Sequence, residues 1–229
     1  MEKNIKLAGM RCSAFYRPLM LSIKVLSSFM DEKTDASPFR VEHTIIASNS
    51  KSECLLVSTD RKIRINVTND RVDGIITLGE EEEKGIKETM DVCAKYVKRM
   101  LKLMEVNATR LAIVPAYRYV GDQPSYAGFF KRIFNEKFTS FENTAVLPSE
   151  ITQLFCVEEN INGVPTELNY FSRFYTLERG AAKGINIMEF DINTVLNRKY
   201  SFDGIAVEAF FSKGPSFCQK YIKHFFEDL

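Results

Sequence analysis

The chain has 229 residues, 31 lysines and arginines against 30 aspartates and glutamates, and 45% apolar residues, the profile of a globular protein with an ordinary core. Its net charge of +1 supplies no strongly charged half to recruit nucleic acid or a membrane surface. No apolar run approaches the roughly 18 residues that span a bilayer, and no leader pattern opens the sequence. The 5 cysteines are far apart and odd in number, so they read as reduced core thiols of a cytoplasmic protein.

Residues 1–18 show no clear period, and Arg17-Pro18 favours extended chain. Leu19, Leu21, Ile23 and Val25 alternate with polar neighbours and predict a strand, as does Phe39 to Ala47. Asp31 to Pro38 between them is linker-like. Cys54 to Ser58, Lys62 to Asn69 and Val72 to Leu78 are separated by tight polar turns, which predicts a three-stranded antiparallel meander.

A helix is expected from Glu80 to Met104. Glu80 to Glu83 would lie at its unpaired N–H groups, and Ile86, Met90, Cys93, Val97, Leu101 and Met104 form one apolar stripe. Leu111 to Tyr119 predicts a strand, placed at an edge or bulge because Pro115 has no N–H to donate. Tyr126 to Phe134 predicts a short helix with an aromatic face, and Phe138 to Ser149 a loop.

Asn162-Gly163 is a two-residue hairpin signal between Leu154 to Glu158 and Val164 to Leu177. Ile185 to Ile192 alternates as a strand. Asp203 to Phe211 fits either period and is assigned to a strand, with a closing helix starting at Gly214-Pro215-Ser216. The expected fold is therefore one α+β domain over residues 1–229, a mostly antiparallel sheet covered by two long helices. A duplicated strand-rich unit, with halves 1–106 and 107–229 each closed by a helix, explains the element order equally well.

Chemistry-bearing motifs are scarce. No phosphate loop, nucleophile elbow, paired-histidine helix or zinc-spaced cysteine pair is present, so no catalytic residue, metal or cofactor is assigned. Ser48-Asn49-Ser50-Lys51 matches a serine-x-x-lysine pattern, but it falls in a loop. His43 and His224 read as packing residues. Arg61, Lys62, Arg64 and Arg71 decorate the meander, where a basic sheet face could hold nucleic acid; that reading is disfavoured because the meander carries no aromatics and Asp60, Asp70 and Asp73 offset its charge. Tyr117, Arg118 and Tyr119 are the most site-like cluster, since Tyr and Arg suit binding surfaces. All phenylalanines but Phe15, Phe29 and Phe39 lie at or after Phe129, which concentrates aromatic packing, or an aromatic patch, in the second half.

Leu147-Pro148, the strand pair after it, Met188 to Asn193, and the closing Tyr221 to Phe226 together resemble the tail of a sporadically distributed bacterial family of unknown function. The resemblance implies a bacterial or phage origin and an α+β fold, with no activity. The functional expectation is a binding or protein-interaction module, with a homo-oligomer or another protein as partner. The alternatives are an enzyme, hydrolase or transferase, with a motif-free site, and nucleic-acid binding through the sheet face.

Overall fold

Ile5–Phe15 (β1) buries Met10, Cys12, Ser13 and Ala14 and leaves Arg11 exposed, a strand covered on one face and partly covered on the other. A computed structural model shows this strand at the heart of the sheet, and describes residues 5–31, 39–46, 52–79, 82, 84–119, 140–141, 144–145, 150–176, 185–195 and 201–226. The other strands are β2 (Phe39–Ile46), β3 (Ser52–Ser58), β4 (Ile63–Thr68), β5 (Arg71–Thr77), β6 (Arg110–Tyr119), β7 (Ser140–Phe141), β8 (Thr144–Ala145), β9 (Glu150–Ile161), β10 (Val164–Thr176) and β11 (Asn186–Thr194). The helices are α1 (Ile23–Met30), α2 (Ile86–Met104) and α3 (Gly204–Phe226).

The fold is α+β. Nine strands pair antiparallel in the order β2-β3-β4-β5-β1-β6-β11-β10-β9, and β7 and β8 pair with each other. The meander is present as β3, β4 and β5, with Cys54 opposite Val67 and Ile65 opposite Gly74. Asn162 and Gly163 turn β9 into β10 with φ of 52° and 83°, the left-handed region that a tight hairpin turn requires.

Several expectations are corrected. The strand expected over Leu19 to Val25 is replaced by α1, whose Leu26 and Phe29 face the interior. Phe29 meets Phe39 and Tyr96 at ring-centroid distances of 5.5 and 6.2 Å, and that aromatic contact overrides the short alternation. The long helix starts at Ile86 with Gly85 as its N-cap, so Glu82 precedes it; Glu82 instead accepts from the Gly79 N–H and pairs with Lys62.

Strand β6 lies at the sheet centre, between β1 and β11, and not at an edge. Pro115 is tolerated because the β6–β11 register runs from Ala116 opposite Glu189 to Ile113 opposite Ile192 and gives Val114 and Pro115 no partner there. Asp203 to Phe211 is helical, continuous with the closing helix. Asp203 accepts from the Ala206 N–H at 2.8 Å, an N-cap that starts α3 well before Pro215, which sits inside the helix. The helix expected over Tyr126 to Phe134 lies outside the described residues, as does Ser48 to Lys51.

The helices share one side of the sheet. The Cys93 Sγ of α2 donates to the Gly74 carbonyl at 2.7 Å, and a Cβ at Gly214 of α3 would overlap Met90 and Ile113. The core between them holds Met10, Cys12, Met90, Met100, Ile113, Phe190 and Phe210, all 2% exposed or less. Tyr16 closes the end of this layer and donates to the Thr68 carbonyl at 2.8 Å. Tyr16→Phe is expected to cost about 1 kcal/mol in urea denaturation, because the half-buried Thr68 carbonyl loses its donor; an unchanged midpoint would show that water replaces it.

Candidate nucleic-acid interface

Opposite residues on neighbouring strands share a face, so the register identifies what stands on the side away from the helices. Arg64 of β4 lies opposite Ile75 of β5, Ile75 opposite Arg11 of β1, and Arg11 opposite Val114 of β6. Phe15 lies between Arg71 and Arg110. Across β11, the same face carries Glu189, Asp191 and Asn193, and on β10 Phe171, Arg173 and Tyr175. This face is a band of arginines and aromatics with a floor of small residues, Ser13, Ala112 and Ala116, along the two central strands.

The first half of the face is tightly organised. The guanidiniums of Arg71 and Arg110 lie 5.6 and 5.2 Å from the centre of the Phe15 ring, held by its negative π face. Arg71 Nε also meets Asp73 at 3.0 Å, and Ser13 Oγ donates to Asp73 at 2.6 Å. Arg11, Arg64 and Arg173 are exposed. Two buried polar atoms of this half, Arg110 Nε and Asn66 Oδ1, find no hydrogen-bond partner among the described residues.

On the second half, acids predominate but are engaged: the Tyr175 hydroxyl donates to Glu189 at 2.9 Å, and Asn193 donates to Asp191 at 2.8 Å. The guanidinium of Arg173 lies 4.9 Å from the Tyr175 ring. Positive charge is therefore concentrated on β4, β5, β1 and the start of β6.

Burial pushes the Asp73 carboxyl up from its ordinary value of 3.8, against the opposing pull of Ser13, Arg71 and Arg11. A raised folded-state value means that protonation favours the fold. That contribution is complete below the ordinary value and is lost as pH rises through the raised one. On acidification the parent protein should therefore gain thermal stability relative to Asp73→Asn; parallel changes in the two melting temperatures would contradict this.

The sequence-derived cluster is split by the sheet. Tyr117 points to the helix side, 1% exposed, with its ring 5.8 Å from Phe190, and burial pushes its hydroxyl up. Arg118 is 8% exposed and donates to the carbonyls of Leu78 and Gly79, tying β6 to the end of β5. Tyr119 ends β6, and its side chain lies outside the described residues, as do those of His43 and His224. Arg61 and Lys62 sit at the β3–β4 turn, Arg61 with φ of 59°, and Lys62 pairs with Glu82.

No protein-family model matches the chain, and no curated protein matches it. Among the described residues no group of three potential ligands is placed to hold a metal ion. No described helix is long and apolar enough to cross a membrane. Cys12, Cys54, Cys93 and Cys218 are buried free thiols and Cys156 is exposed. Burial raises the pKa of Cys12, Cys54 and Cys218, the opposite of what a reactive thiolate needs.

Two cavities are prominent among the described residues. One of about 290 Å³ opens between the start of β1 and the N-terminus of α2, beside Lys6, Glu82 and Lys84. Glu82 there is held ionised by Lys62 and the Gly79 N–H, a structural pairing. The other, about 750 Å³, lies between the β9–β10 hairpin and the start of α3.

Proposed function

We propose that the protein is a non-catalytic binding module that takes nucleic acid across the sheet face opposite its helices. The observation that carries this reading is that Arg11, Arg64, Arg71 and Arg110 stand on one face of four adjacent strands, the last two against the Phe15 ring. Arginines supply phosphate contacts and guanidinium planes, aromatics supply stacking or wedge surfaces, and small central residues let a backbone approach closely. The meander by itself argues against this reading because it has no aromatics. Strands β1 and β10 add Phe15, Phe171 and Tyr175 to the same face and change that balance.

The architecture favours a duplex. We read the sheet as two related units, β1 to α2 and β6 to α3, because the order β3-β4-β5-β1 from one side mirrors β9-β10-β11-β6 from the other and each unit closes on a long helix. Such pseudo-two-fold symmetry suits the dyad of a double helix. The buried free thiols fit the reducing cytoplasm, and kinship with the bacterial family resembled by the C-terminal third is compatible with β11 followed by α3.

The test is binding of a short DNA duplex and the matching single strand at increasing salt. The duplex should bind more tightly, with an affinity that falls on a log–log slope of about −3 to −4 if the four arginines meet phosphates. Salt-independent or undetectable binding of both would overturn the proposal. Asp73→Asn, which removes the one carboxylate inside the basic cluster, should tighten binding about threefold to tenfold; a weakened complex would mean that Asp73 positions Arg71 for contact.

A further inference from the structure

We propose that the cleft between the β9–β10 hairpin and the start of α3 is a docking site for a partner protein, and that it receives an apolar side chain flanked by lysine or arginine. The cleft, about 750 Å³, is separate from the basic cluster, and none of its described lining residues is basic. Its floor includes Ile161, 3% exposed, while Val164 and Ile205 at its rim are 51% and 70% exposed. Large apolar side chains left in water around a concavity are the usual signature of a protein contact.

The electrostatics specify the partner. Glu158 and Glu167 stand directly opposite each other on β9 and β10, and both line the cleft with Asp203. Like charges directly opposite on neighbouring strands destabilise a sheet, so this pair is not explained by the hairpin. The next carboxylate, Glu159, is neutralised by Lys220 at 2.6 Å, whereas Glu158 and Glu167 form no ion pair among the described residues. A metal ion is disfavoured because no three ligating side chains converge there. A cationic, partly apolar segment satisfies both the carboxylate pair and the exposed rim.

The test uses the full chain and a synthetic blocked peptide in which one leucine is flanked by arginines, read by fluorescence anisotropy. Saturable binding with a Kd in the micromolar range is expected, weakened about tenfold or more by the Glu158→Gln/Glu167→Gln pair and separately by Ile205→Ser. Replacing the arginines by glutamates, or the leucine by serine, should abolish binding. The Gln variants relieve repulsion and should melt no lower than the parent, so a lost signal cannot come from unfolding. DNA binding should be unchanged in Ile205→Ser and no weaker in the Gln pair, whose carboxylates stand on the outward face of β9 and β10. No binding of the arginine peptide at about millimolar concentration, or equal binding by parent and variants, would overturn the proposal.

Discussion

Replacing Arg11 and Arg64 together by glutamate is expected to weaken duplex binding by about a hundredfold and to reduce the salt slope by about two, one for each phosphate that these arginines would neutralise. Both side chains are exposed on the outward face, on β1 and β4, so reversal removes charge without emptying the core. Stability should change little, since exposed charges contribute modestly to folding. Arg71 and Arg110 are less clean targets, because each also rests against the Phe15 ring. A control reversal at Lys102, exposed on the outer side of α2, should leave affinity within about twofold. If Lys102→Glu weakens binding as much as the arginine pair, the helical side is the one that meets nucleic acid.

Gly74→Ala is expected to cost about 1 to 3 kcal/mol in urea denaturation. Gly74 lies on the helix side of β5, opposite Cys12 and Ile65. A Cβ there would come within 2.7 Å of the Cys93 carbonyl oxygen and 3.1 Å of Val97 Cγ2. The oxygen belongs to the backbone of α2, so the clash cannot be relieved by a rotamer change. The helix must move, weakening the Cys93 hydrogen bond to the Gly74 carbonyl and loosening the packing of Met90, Val97 and Met100. Gly85→Ala is the contrast: no atom lies near its Cβ position, and the change costs only the N-cap preference of Gly over Ala, about 0.5 kcal/mol. Equal losses at the two sites would contradict close approach of α2 to β5 as the cause.

The parts of the fold legible in the sequence are those where one physical pattern dominates. Ile63, Ile65 and Val67 alternate with polar residues because β4 has a covered and an open face, and the α2 stripe is legible because a single face of the helix is buried. Strand β1 is obscured because Met10 to Ala14 is buried at every position but Arg11, leaving no clean alternation. Missing β1 also hid the candidate site, since Phe15 and Arg11 complete the basic cluster from a strand remote in sequence from β4 and β5. Gly214-Pro215 reads as a helix start, yet Gly214 is where α3 packs closest to Met90 and Ile113, a requirement of tertiary packing that leaves no local signal. Tyr117 and Arg118 look alike as site candidates because the residue types suit binding, but successive strand positions point to opposite faces.

The most direct test is to titrate the isotopically labelled full chain with a short DNA duplex and map the perturbed resonances. The largest shifts should fall on Arg11, Phe15, Arg64, Arg71 and Arg110, with the outer surfaces of α2 and α3 unchanged. Shifts confined to the helices, or to the cleft beside the β9–β10 hairpin, would contradict recognition through the sheet face.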